Sequence, residues 1–300
     1  MGLPNFIIAG VARCGTTSLY HYLLQHPNIK MCAIKEPKFF GHEQLTFPHN
    51  GPGDAWYDER VIKDLERYME LFVEGSAQVA VGEASSNYFY HHEASVPAIK
   101  SLLGDVKIII CLRDPIARAW SAYMNMVRDG RESMTFTEAC ALERHRKDSN
   151  YDWMWLYQEG SLYHAGVQHF FSAFSNVLLV DYERLSLDPI GVLANIHEFL
   201  GVDESFVPDM KIKYSQSGQI HNSIMRYLTS PKSHVGSCAR TILFKMFPRT
   251  VLERIAKRFI TKPQPSIPID LRDYFKSDIA AMKLSFPNFS PHWMKKYEVD

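Results

Sequence analysis

The chain of 300 residues carries 33 basic and 33 acidic side chains, so its formal net charge at neutral pH is zero. That balance argues against a surface given over to nucleic acid or another polyanion, while leaving room for a local basic site. With 46% hydrophobic and 22% charged residues, the composition is that of a soluble globular protein able to bury a substantial core. The five cysteines at 14, 32, 111, 140 and 238 form no CxxC pair and read as reduced thiols. The longest apolar runs, such as VKIIICL, are strand-length and well short of the ~20 residues of a membrane-spanning helix. A cytoplasmic location is the expectation, unless a membrane anchor precedes residue 1.

In chain order, NFIIAGV is an apolar strand of the kind a buried parallel sheet uses. A helix follows from about Thr16 to Gln25, then a strand at NIKMC running into AIKEPKFF. LTFPHNGPGDAW is a loop rich in Pro and Gly, and DERVIKDLERYMELF has helical period. QVAVGEAS is a strand, and DVKIIICLRDP is the strongest strand signal in the chain. Asp114-Pro115 caps a helix reaching about Arg128. NVLLVDYERL reads as another strand, and DPIGVLANIHEFLGV as a helix with Gly201 as its C-cap. Strands alternating with helices predict an α/β fold, a mostly parallel central sheet flanked by helices. The prediction is a single domain over 1–300, with a helical C-terminal portion from about residue 207.

The segment GVARCGTTSL has a phosphate-loop outline. Gly10 and Gly15 permit close backbone approach, Thr16, Thr17 and Ser18 offer hydroxyls, and Arg13 adds charge at a helix N-terminus. The lysine a nucleotide triphosphatase places after the second glycine is replaced by Thr16. The strand KIIICL ends in Arg113 rather than in a metal-holding aspartate. Arginine there repels a metal and attracts a second anion. Ser121 lies about two helical turns further on, so both face the C-terminal edge of the sheet, where open α/β sheets bind ligands. The pattern predicts a metal-free ligand with two separate phosphate groups.

These residues resemble the superfamily of sulfotransferases that use 3′-phosphoadenosine 5′-phosphosulfate (PAPS). The similarity covers roughly residues 5 to 200: GVARCGTTSL resembles its 5′-phosphosulfate loop and IIICLRDPIARAWSAY its 3′-phosphate motif. IKEPKFF is similar to an element of the branch containing glycan and many bacterial sulfotransferases. The resemblance implies a P-loop-like three-layer fold, PAPS as co-substrate and adenosine 3′,5′-bisphosphate (PAP) as product, with no metal. It implies that Arg13, Cys14, Gly15, Thr16, Thr17 and Ser18 hold the 5′ end and that Arg113 and Ser121 hold the 3′-phosphate. It also places Tyr163, in GSLY, near the nucleotide, a buried structural tyrosine being the alternative. Lys262 matches loosely a basic loop over the 3′-phosphate, with Ser215–Asn222 as a rival.

For chemistry, the resemblance makes Glu36 the base, against a plain surface glutamate paired with lysine, and Arg13 the clamp on the leaving phosphate. Most relatives have lysine at Arg13, and arginine, with a pKa above ~12, holds charge without donating a proton. Lys38, an acceptor-binding candidate, stands where some glycan-modifying relatives carry histidine. Glu83, Ser85 and Tyr88, in GEASSNYFY, match a segment lining the acceptor cleft, although Glu83 also fits a strand-end charge. YDWMWLY is either core or a hydrophobic lip over an organic acceptor. The segment 232–262, with eight Lys/Arg and one Glu, fits a solvated helix face, a rim for the donor or a membrane contact. Zero net charge makes a small organic alcohol or amine the expected acceptor. A glycan or lipid-linked acceptor is the alternative, and a P-loop kinase, recognisable by its need for Mg²⁺, a remote one.

Overall fold

The structure, a computed structural model, describes residues 3–72, 79–210 and 271–298, together with the backbone of 219–220 and 260–261. Its centre is a parallel sheet in the order β2-β3-β1-β4-β5. The strands are β1 (Phe6–Gly10), β2 (Ile29–Met31), β3 (Ala80–Ala84), β4 (Lys107–Leu112) and β5 (Val177–Asp181). Helices flank the sheet, giving the expected α/β architecture. Every residue of β1 is buried, as are all of β4 after Lys107, which accounts for their unbroken apolar sequences. At ~1.5–3 kcal/mol for each large apolar side chain removed from water, these two strands are the chief apolar contribution to the sheet.

β1 lies between β3 and β4. The chain therefore builds outward on one side through β3 and β2, then on the other through β4 and β5. That reversal opens a crevice at the C-terminal end of β1. The loops leaving β1, β3 and β4 all converge there.

The helices that matter are α1 (Thr16–Leu23), α2 (Ala55–Asp58), α3 (Leu65–Glu70), α4 (Asn87–Tyr90), α5 (His92–Leu103) and α6 (Pro115–Arg128). α6 has the expected bounds, with Asp114 accepting from the Ile116 amide at 3.1 Å. The helix expected over 58–72 is instead two short helices. Asp64 starts the second by accepting from the Arg67 amide at 2.8 Å, and the extended leg before it is pinned by Ile62 N donating to Pro37 O at 3.0 Å. The strand expected over NVLLVDYERL stops at Asp181, which caps a helix over Tyr182–Leu187 by accepting from Glu183 N. The C-terminal portion is not helical alone. Gln219–Ile220 pairs antiparallel with Ile260–Thr261, ahead of the helix Leu271–Ser285. Cys14, Cys32, Cys111 and Cys140 are free thiols. Among the described residues, no helix is long and apolar enough to cross a membrane.

Candidate active site

The loop after β1 is held from three sides. Val11 N donates to Cys111 O at 2.9 Å, and Arg118 Nε donates to Ala12 O at 3.1 Å. Arg113 Nη1 donates to Arg13 O at 3.3 Å. Gly10 is obligatory, since a Cβ there would lie 2.6 Å from the Phe89 Cβ. Gly15, at φ +87°, starts α1 with no side chain capping the helix. The first-turn amides, those of Thr16, Thr17 and Ser18, therefore offer donors to an anion.

Arg13 sits in the left-handed region at φ +73°, uncommon for a residue with a side chain. Its Nε donates to Ser121 Oγ at 3.2 Å. Burial, then the neighbouring Arg128, Arg113 and Arg118, lowers its pKa to about 10. This corrects the expectation of a value above 12 but leaves the guanidinium charged at neutral pH. So dense a group of cations around uncapped amides fits a polyanion.

Arg113, at the end of β4, stacks on the Tyr182 ring, with Cζ 4.5 Å from its centroid. Its Nε is buried without a hydrogen-bond partner, and Glu183 Oε1 stands off at 3.9 Å. A guanidinium nitrogen without a hydrogen-bond partner, one residue removed from Ser121 through Arg13, is the feature that suits a second phosphate. Tyr163 is fully buried and donates its hydroxyl to Arg113 O at 2.9 Å, so it braces the strand end from within. Cys14 is also turned inward. Its amide donates to Val11 O, and burial pushes its thiol up to about 12. Neither side chain presents a free donor to a nucleotide. Lys262 and the loop 215–222 lie outside the described residues, Gln219 and Ile220 excepted, of which only the backbone is described; so does the basic segment 232–262 apart from the backbone of 260–261.

Glu36 lies on the segment after β2, at φ +64°, with Lys38 at φ +57°. Alternate amides of this segment are anchored to the turn after β3. Glu36 N donates to Ala84 O at 2.9 Å, Lys38 N to Ser85 Oγ at 3.1 Å and Phe40 N to Tyr88 Oη at 3.3 Å. The carboxylate is fixed by Ser86, whose amide donates to Oε2 at 2.8 Å and whose hydroxyl donates to Oε1 at 2.9 Å. Lys35 Nζ adds an ion pair to Oε1 at 2.6 Å. Burial alone would raise the pKa of Glu36. Lys35 and Lys38, with the hydrogen bonds from Lys35 and Ser86, outweigh it, so the carboxyl titrates below its ordinary value.

Of the four residues expected at the acceptor, Lys38 lines the cavity onto which Glu36 opens, while Glu83, Ser85 and Tyr88 are wholly buried. Ser85 and Tyr88 support the Glu36 segment rather than face a ligand. Glu83 lies behind it, with Tyr68, Tyr88 and Ser85 as neighbours, and both its oxygens lack an aligned partner. Burial pushes its carboxyl up to about 8, opposed by the two tyrosines and reinforced by Glu36.

Arg13, Thr16, Thr17 and Glu36 open on one cavity of about 590 Å³. Lys35, Lys38, Trp56, Arg60 and Arg67 line it as well. The guanidinium of Arg60 lies over the indole of Trp56, 3.0 Å from its centroid. Ser18 is half-buried and does not reach this cavity. Of the aromatic stretch 151–157, Trp155, Leu156 and Tyr157 are core, while Trp153 and Met154 contribute to the cavity wall. Sequence reasoning missed Ser86, Arg118, Tyr182, Trp56, Arg60 and Arg67, and had Lys35 only as a charge acting on Glu36. The paired serines after β3 and the Trp–x₃–Arg spacing, one helical turn, were the available signals. Elsewhere, His49, Asp58 and Asp152 bring ligand atoms within 4.8 Å of one another; His49 Nδ1 there already pairs with Asp58 Oδ1 at 2.7 Å.

A sequence model of the sulfotransferase family matches residues 4–206, and the chain belongs to that family, whose members use PAPS. It is 29% identical over 203 residues to human heparan sulfate glucosamine 3-O-sulfotransferase 3B1, covering 67% of this chain and 46% of that protein. It is 31% identical over 212 residues to mouse bifunctional heparan sulfate N-deacetylase/N-sulfotransferase 4, covering 67% of this chain and 22% of that protein. The chain thus spans half or less of the length of these curated relatives. A crystal structure of a sulfotransferase from Alicyclobacillus acidocaldarius superimposes with a TM-score of 0.75 at 29% identity, covering 98% of this chain and 99% of that one.

Proposed function

We propose that the protein transfers the sulfuryl group of PAPS to a hydroxyl or amine of a glycan. The observation that carries this reading is the single cavity onto which the donor loop, Glu36 and a cationic, aromatic wall all open. Zero net charge had favoured a small organic acceptor. The local distribution favours a sugar chain instead: Lys35, Lys38, Arg60 and Arg67 against Glu36 and Glu59, with Trp56 45% exposed as a stacking platform. The heparan sulfate relatives support the same choice.

In this reading the first-turn amides of α1, the hydroxyls of Thr16 and Thr17 and the Arg13 guanidinium hold the 5′-phosphosulfate. Arg113 and Ser121 hold the 3′-phosphate, with Tyr182 and Tyr163 keeping Arg113 in place. The acceptor oxygen or nitrogen attacks sulfur in line with the bridging oxygen, and its proton passes to Glu36. The sulfur–oxygen bond to the 5′-phosphate breaks, and its electron pair stays on PAP. Arg13 meets the growing negative charge there. Because Arg13 Nε also contacts Ser121, the residues at the two phosphate ends are mechanically joined. Labelled PAPS offered to a panel of glycans and small alcohols, without added metal, tests the proposal. Label appearing in a glycan supports it; label only in small alcohols, or Mg²⁺-dependent ATP turnover, overturns it.

A further inference from the structure

Glu36 is a restrained base. Three donors, the Ser86 amide, the Ser86 hydroxyl and the Lys35 ammonium, occupy three of the roughly four lone-pair sites of its carboxylate. Two of them belong to Ser86, which is buried in the turn after β3. The third is on a flexible side chain. Lys35 and Glu36 are 20% and 25% exposed at their side chains, and both line the acceptor cavity. The pair is partly open to the cavity and one of its members is a flexible side chain, so another anion entering the cavity competes for the ammonium.

We propose that Lys35 is a specificity-determining residue, restraining Glu36 until an anionic group on the acceptor draws its ammonium away. This rests on the glycan reading and names the substrate class within it: a sugar chain bearing a carboxylate or sulfate near the reacting hydroxyl or amine. Lys38, Arg60 and Arg67 on the same wall draw such a group in. When the ammonium leaves, the strongest electrostatic restraint on the carboxylate goes with it, and the acceptor's proton meets a stronger base. A neutral acceptor leaves Lys35 where it is and meets a weaker one. The other charged groups around Glu36 are Lys38 on its own segment, Glu83 behind it on β3, and Arg13 and Arg118 at the donor end of the cavity. None of them makes a direct contact with the carboxylate in the structure, as Lys35 does.

The test uses the full chain, Lys35→Gln and Lys35→Arg. Two acceptors are compared: an oligosaccharide alternating glucuronate with N-acetylglucosamine, and the same oligosaccharide with its carboxyls reduced to alcohols. The ratio of kcat/KM for the two should fall roughly fivefold in Lys35→Gln, the scale of one exposed ion pair, and recover in Lys35→Arg. A second readout needs no sugar. Bound PAPS passes its sulfuryl group slowly to water, the water proton going to Glu36 and the products being PAP and sulfate. The acid limb of that hydrolysis should move to higher pH in Lys35→Gln. An unchanged acceptor ratio, an equal loss on both acceptors, or an unmoved acid limb overturns the proposal. Calorimetric binding of PAP to the wild type separates the two levels. Absence of binding removes the sulfotransferase reading itself, whereas normal binding with an unmoved acid limb removes only the role of Lys35.

Discussion

The two ends of the cavity are built in different ways. At the donor end, the recognition elements are the first-turn amides of α1 and the side chains of Arg13, Arg113 and Ser121, which sit at strand ends and on helices, fixed by the sheet and by the tight passage at Gly10. At the acceptor end they are side chains on the long connection between β2 and β3, tied down by hydrogen bonds to the turn after β3. A site set on regular elements keeps its geometry when one ligand is lost, while a site on a long connection depends on each of its anchors. The difference predicts which substitutions alter nucleotide binding and which alter only turnover or acceptor affinity.

The sharpest separation of the two ends is Glu36→Gln. It should reduce turnover by about 10²–10⁴-fold, the usual scale for a general base, with PAP affinity by calorimetry close to wild type. A parallel loss of PAP binding would mean that the two ends are not independent. Arg113→Ala should do the converse, weakening PAP binding about 10- to 100-fold, the worth of a charge-assisted hydrogen bond. Binding of adenosine 5′-phosphosulfate, which lacks the 3′-phosphate, should fall much less, by the loss of one anchor of the donor loop alone; equal losses would remove Arg113 from that phosphate.

Behind the acceptor end, Glu83 gives a stability test. Its folded pKa is raised, to about 8, so the folded form holds its proton more tightly than the unfolded chain. Stability is full below the unfolded carboxyl pKa and declines as pH rises toward 8. Glu83→Gln should remove that decline, by an amount on the order of a few kcal/mol at most. Urea unfolding at acidic and mildly alkaline pH measures it, and an unchanged slope of stability with pH would refute the assignment. The smallest effect is expected at Trp56→Ala. It should raise the KM for a glycan acceptor several-fold, on the scale of ~1 kcal/mol for a lost stacking contact, with kcat and PAP binding intact.

The same contrast decides what the sequence made legible. The donor loop, the Arg113–Ser121 spacing and the bounds of α6 are written in local patterns: an apolar strand, two glycines, an Asp-Pro cap. Their structural consequences follow within a few residues. Ser85, Ser86 and Tyr88 act on a segment about fifty residues away, and no local periodicity records such pairings. Residues 182–185 read as strand only as an extension of the apolar run of β5. The cap at Asp181 overrides it, ending the strand where Trp293 Nε1 also donates to that carboxylate at 3.2 Å. Net charge says little about the acceptor for a related reason, since a sum over the whole chain is silent about the wall on which Lys35, Lys38, Arg60 and Arg67 gather.

The connection between β2 and β3 joins two strands that are neighbours in the sheet. Its ends are therefore held at a fixed spacing whatever lies between them. It behaves as a replaceable cassette: a relative's connection, grafted between the same two strands, should bring its own acceptor choice to an unchanged nucleotide site. The anchors set the boundary of that cassette. Ala84, Ser85, Ser86 and Tyr88 must travel with it, so the exchangeable unit ends not where the strand begins but at the first turn of α4.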